Sequence, residues 1–283
     1  MRANFARTRA MPPSAAADLE SAIAHLSCRC GKVEISLPFK SILRYECCCC
    51  DCRKGLAFFH TSKGGPTPPT IPDIVYYPNL LMVMSGRSLL RCFTIAKQFP
   101  SRRIYASCCW TPLLADNPAY QAKRIAVFNG PARLKVNGTF VAGRSPLHPP
   151  DDRIRTGDMT PAELGALPSF TPPTTPRTWV GATAAAERAL AEMKDASGAW
   201  KPTWRMWDLV TVQQLIESLP TGVEVADPSH DGPTPYWIKH GFAPHHLAAP
   251  APAEAFSSAA PPKTTAAVAN QAHAYPFDAS YHY

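Results

Sequence analysis

A mainly β fold with a short helical C-terminal extension is predicted by three features of this 283-residue chain. Apolar residues between positions 26 and about 141 recur in short alternating runs bounded by Gly, Pro and Asn. The same stretch lacks sustained helical periodicity. Seven of the ten cysteines are bunched between positions 28 and 52, at spacings that suit metal ligation better than a disulfide framework.

Lys32-Val33-Glu34-Ile35-Ser36-Leu37 alternates as a half-buried strand does, and Pro38 ends it. Residues 73–77, 80–85, 89–93, 103–106, 123–128 and 133–136 are further expected strands, with hairpin turns expected at Asn129-Gly130 and Asn137-Gly138. Residues 60–72, rich in Gly, Pro and Thr, are expected to form an exposed loop. Helical spacing returns at 182–194 and 207–219. The tryptophans at 200, 204, 207 and 237 are expected to pack these helices on the core. The expected organisation is thus a disordered N-terminal segment (1–25), a β domain (26–145), a Pro-rich linker (146–180), a helical extension (181–243) and a disordered tail (244–283). The last assignment rests on composition, because Ala, Pro, Ser and Thr cannot bury enough apolar surface to offset ordering.

Charged residues make up 18% of the chain against a usual ~25%, and there are 31 prolines, which agrees with long extended segments. The best apolar run, Leu80-Leu81-Met82-Val83-Met84, is strand-sized, so no membrane-spanning helix is expected. A net charge of +8 comes from scattered Lys and Arg with no nucleic-acid module, which argues against direct DNA or RNA recognition. Clustered thiols point to a reducing, cytoplasmic setting. The Arg-bearing, acid-free opening segment leaves organelle import as an alternative. His240, His245 and His246 lie in a flexible polar segment and are read as unliganded.

Cys28-Arg29-Cys30-Gly31 places two thiols two residues apart, with a glycine to permit a tight knuckle. Cys47, Cys49 and Cys52 form C-x-C-x-x-C, and a turn at Asp51 would bring Cys52 back to the other two, leaving Cys48 and Cys50 spare. Three protein ligands leave the open position of a catalytic zinc, whereas four make a closed structural site. Arg53 and Lys54 stand beside the cluster as candidate anchors for an anionic substrate, and Asp51 and His60 as candidates for proton transfer. Cys92, inside an expected strand, reads as a core residue.

Three motifs carry a family resemblance: C-x-C-G-x-V at 28–33, C-x-C-x-x-C-R-K at 47–54, and Tyr105-Ala106-Ser107-Cys108-Cys109-Trp110-Thr111-Pro112-Leu113. In order and separation they resemble those of the glutathione-dependent formaldehyde-activating enzyme (GFA) family, which includes the centromere-protein-V-like proteins, over about residues 26–142. The adjacent cysteines also resemble an uncharacterised GFA-like subgroup. The resemblance implies a zinc-bearing antiparallel β fold of the Mss4-like type and carbon–sulfur lyase chemistry on a glutathione-type thiol adduct. It implies that Cys47, Cys49 and Cys52 hold the catalytic Zn2+, with Cys28, Cys30 and Cys109 among the structural ligands. The third motif departs from the pattern: Ala106 stands for its first cysteine and Trp110 for its glycine. Cys108 is then the expected substitute fourth ligand, which requires the backbone to turn between Cys108 and Cys109. The alternative function is a noncatalytic zinc-stabilised interaction module, associated with chromatin or cytoskeleton.

Overall fold

The computed structural model describes residues 24–95, 101–136, 139–140, 149–199, 208–220 and 223–225. The fold is mainly β. One sheet has the order β11-β10-β1-β2-β5-β13 and the other β12-β3-β4-β9-β8-β7-β6-β14. The first is built on β1 (Ala24–Ser27), β2 (Glu34–Leu37), β5 (Leu81–Ser85), β10 (Arg133–Val136), β11 (Thr139–Phe140) and β13 (Leu209–Val210). The second is built on β3 (Leu43–Cys47), β4 (Asp73–Pro78), β6 (Leu90–Thr94), β7 (Arg102–Ala106), β8 (Thr111–Asp116), β9 (Arg124–Asn129), β12 (Asp152–Ile154) and β14 (Val223–Val225). Pairing is antiparallel except at the two edges of the larger sheet, where β12 joins β3 and β14 joins β6 in parallel.

The larger sheet is the middle layer. Strand periodicity sends Val75 and Tyr77 into one core with Leu26, Ile35 and Leu81 of the smaller sheet. Ile74 and Tyr76 point the other way, into a second core with Tyr45, Phe128 and Trp179. That outer face is covered by α1 (Cys50–Lys63) and α3 (Trp179–Glu192). Strands buried on both faces do not alternate, which is why β3 and β8 carry no sequence signal of their own. Pro112 is tolerated in β8 because it sits at a register shift opposite Tyr105.

Four expectations need correction. The turn expected at Asp51 and the first residues of the loop expected at 60–72 belong to α1, which is capped by the Cys49 thiol at its start and by left-handed Gly64 at its end. Asn129-Gly130 is a turn but not a hairpin, because β9 and β10 belong to different sheets. β10 and β11 do pair antiparallel across positions 137–138.

The third correction concerns the Pro-rich stretch, which is not a free linker from 149 onward. β12 adds to the sheet, and α2 (Pro161–Gly165) follows with a capping box on Thr160 and Glu163. Buried Asp151 accepts from the backbone N–H of Arg44 (2.9 Å) and from Arg177 (3.0 Å), tying the stretch to β3. α3 then docks through Trp179, whose ring lies 3.5 Å from the Arg124 guanidinium. The expected helix at 207–219 is β13 followed by α4 (Val212–Glu217), whose Val212 and Leu215 enter the inter-sheet core. Among the described residues no helix is long and apolar enough to cross a membrane. The expectations for residues 1–23 and 244–283, for Trp200, Trp204, Trp207 and Trp237, and for His240, His245 and His246 lie outside the described residues.

Candidate metal centres

Two groups of cysteines converge, each with sulfurs within 4.8 Å of one another: Cys28, Cys30, Cys108 and Cys109, and Cys47, Cys49 and Cys52. Either can hold a metal ion.

The four-thiol group joins the end of β1 to the β7–β8 turn. Gly31, at φ +76°, closes a knuckle in which its N–H reaches the Cys28 carbonyl (3.0 Å), and Val33 N–H donates to the Cys28 sulfur (3.3 Å). Across from it the chain turns at residues 107–110, with Trp110 in the left-handed region at φ +52°. This turn swings the Cys108 sulfur to 3.9 Å from that of Cys109, though neighbouring strand residues would point apart. Trp110 thus takes a conformation that favours glycine, and its ring stacks on Tyr105 (centroids 5.6 Å apart) below the Lys63 ammonium (4.9 Å). Gly65 packs against this turn so closely that a Cβ would lie 2.6 Å from the Trp110 carbonyl oxygen.

Sulfurs bound about 2.3 Å from a tetrahedral zinc lie about 3.8 Å from one another. Here the separations are 3.5 Å for Cys28 to Cys30, 3.7 Å for Cys28 to Cys108 and 3.3 Å for Cys30 to Cys108. The donor set therefore fits zinc in number, softness and spacing. Without a cation the thiols cannot all ionise. The Lys32 backbone N–H, with help from its neighbours' thiols, holds Cys30 down at about 6, while burial pushes Cys28 up.

The three-thiol group lies on the outer face of the larger sheet. Cys47 ends β3, Cys49 caps α1 by accepting from Cys52 N–H (3.2 Å), and Cys52 stands in the first turn. Cys47 and Cys49 sulfurs are 3.3 Å apart. Hydrogen bonds from Cys47 and then Cys49 hold Cys52 well below the usual thiol range, aided by the charge of Arg103. The Cys47 thiol, which supplies one of these bonds, is driven well up. A divalent cation would favour ionisation of all three.

These thiols open on a cavity of about 50 Å³, room for about three or four water-sized groups. Asp51, Tyr76, Arg103, Asn117, Tyr120 and Arg155 are among the residues completing its wall. Burial, reinforced by the charge of Cys49, raises the Asp51 carboxyl to about 7 against the pull of Arg103.

Several expected site residues are placed elsewhere. Arg53 is engaged by Glu163 (2.8 Å) and the Asp158 carbonyl (2.9 Å), and neither it nor exposed Lys54 lines the cavity. Helix α1 turns both away from the thiol cluster. His60 is exposed near the far end of α1 and contacts the Gly65 carbonyl (3.3 Å). Of the two proton-transfer candidates, only Asp51 reaches the cavity. Cys48 and Cys50 stay outside both groups, and Cys92 is buried in β6. Sequence reasoning missed Arg103, Asn117 and Arg155, because single polar residues in strands and turns carry no signal of what they face. No protein-family profile matches the chain and no curated protein is significantly similar to it, so the reading of these two centres rests on their own residues.

Proposed function

We propose that this is a zinc protein of the GFA-like, Mss4-like kind with one closed structural site and one open site, the open one serving carbon–sulfur lyase chemistry on a thiol adduct of a small aldehyde. The observation that carries the reading is the asymmetry of the two groups: four sulfurs complete a tetrahedron, whereas three sulfurs leave a position that faces a cavity. Zinc held by three thiolates supplies a mild Lewis acid able to accept a sulfur or oxygen ligand.

The chain's own residues do the rest. Cys47, Cys49 and Cys52 fix the reacting end of the adduct at the cavity wall. The small volume admits the aldehyde carbon and its immediate neighbours, so the body of a glutathione-type thiol stays at the mouth. Asp51 is the carboxyl group on that wall and is placed to accept the adduct's hydroxyl proton as the carbon–sulfur bond breaks, releasing the aldehyde and a thiolate, to which Asp51 returns the proton so that it leaves as the thiol.

The test is exchange NMR on the equilibrium between glutathione, formaldehyde and their adduct. Metal-loaded wild type accelerates the exchange, Cys49→Ser abolishes the acceleration, and Asp51→Asn reduces it about 100-fold or more. Two bound zinc ions without acceleration would instead assign the chain a noncatalytic, zinc-stabilised role.

A further inference from the structure

Arg103 is a charged residue buried in the larger sheet. It sits in β7, where only 4% of its surface is exposed. Its side chain runs beside Gly55 of α1, where an added Cβ would lie 3.6 Å from Nε. Both Nε and Nη1 are buried without a hydrogen-bond acceptor. Arg103 nonetheless lines the three-thiol cavity. Asp51 shares that wall, yet among the described residues no carboxylate forms an ion pair with Arg103 within 4.0 Å. Asp51 and Cys52 are its electrostatic neighbours, as Asp158 is of Arg155, and the Phe93 ring lies 5.9 Å from its guanidinium carbon, but none of these gives Nε or Nη1 a hydrogen-bond acceptor. Buried guanidinium groups are ordinarily paired, because their desolvation is repaid only by charge-assisted hydrogen bonds.

We infer that Arg103 marks an oxyanion subsite in this cavity, which takes the carboxylate of a short acid of two or three carbons whose other end faces Cys47, Cys49 and Cys52. Size and charge agree on this. The cavity has room for a carboxylate and little more, and a carboxylate oxygen can accept from the Nε–H or Nη1–H that Arg103 leaves without an acceptor. Asn117 and Ser101, hydrogen-bonded to each other, provide polar lining on the same wall. The adduct favoured by the open site is then one whose small component carries a carboxylate, such as a 2-oxo acid, rather than a bare aldehyde. That last step rests on the proposed open metal site; the carboxylate subsite itself does not.

The test compares two thiols of similar size, mercaptoacetate and neutral 2-mercaptoethanol, by calorimetric titration of zinc-loaded protein whose metal content is measured on the same samples. Wild type binds mercaptoacetate about tenfold or more tightly, and Arg103→Met brings the two affinities together at unchanged zinc content. Arg103→Lys restores part of the preference. Equal affinities in wild type, or a preference that survives in Arg103→Met, overturn the inference. A wild-type ratio near one overturns the inference even if the Met variant fails to fold, and Arg103→Lys, which keeps the charge but not the fork, then stands in for it where the ratio is high. Should wild type hold no metal, acetate is the probe. Acetate binding that Arg103→Met abolishes keeps the subsite while the metal reading falls, and absence of acetate binding removes the subsite.

Discussion

The four-thiol and three-thiol groups are both assembled where a strand ends in a tight turn, yet they differ in what stands behind them. Cys28 and Cys109 are buried in the core between the two sheets, and the group bridges segments 78 residues or more apart in the chain. Cys47, Cys49 and Cys52 come from six consecutive positions and are braced by a helix start, with a cavity on their free side. A cluster that closes a long loop and completes its own coordination shell acts as a fastening. On the proposed reading, a local cluster of three donors beside a cavity is the one left for chemistry. The largest expected effect follows: Cys28→Ser costs of order 4 kcal/mol in metal-loaded protein, lowering Tm by roughly 10 °C, and a strong chelator does at least as much. Thermal unfolding monitored by circular dichroism measures both. A Cys49→Ser variant as unstable as Cys28→Ser would erase the distinction.

The second region can be perturbed through its backing. Trp179 packs against Tyr45 and Tyr76 in the core cluster that includes Cys47, and under the guanidinium of Arg124. Trp179→Ala is expected to cost about 3–5 kcal/mol and to weaken metal retention at the three-thiol site before the four-thiol site, as read by stepwise zinc release to a colorimetric chelator.

A smaller effect separates two duties of Cys49. Its sulfur is both a candidate ligand and the N-cap of α1. Alanine and serine remove the ligand equally, but serine keeps a cap, so Cys49→Ala should be about 1 kcal/mol less stable than Cys49→Ser in denaturant titrations.

The smallest effect lies at Glu163, which links the 149–180 stretch to α1 through Arg53. The Thr160 backbone N–H, with Arg53 assisting, holds its carboxyl down at about 2 from an ordinary 4.5. A depressed carboxyl contributes above its unfolded value and loses that contribution as pH falls through the folded one. Glu163→Gln should therefore lower α2 protection at neutral pH while leaving the wider fold unchanged, and flatten the acid dependence of that protection between pH 4.5 and 2, followed by hydrogen exchange.

These contrasts also show what the amino-acid order could reveal. The cysteine groups were legible because ligand spacing is local, and Cys108 was legible as a partner of Cys109 once a turn was allowed between them. β2 and β10 alternate and so announce themselves. α1 does not, because its start is set by a thiol cap instead of a Ser or Asp, and Gly55 interrupts it where Arg103 passes. The packing of residues 149–180 was hidden because proline density reads as a linker unless the partner of Asp151 is known. Arg53 and Lys54 were placed at the site by adjacency in sequence, whereas the helix rotates them away and β7 supplies Arg103 from 50 residues on.

The most direct measurement is elemental analysis of protein purified under reducing conditions, for wild type and for Cys49→Ala. The account predicts two zinc ions per chain in wild type and one in a still-folded Cys49→Ala. Wild type without zinc, or a Cys49→Ala variant that keeps both ions, would contradict it.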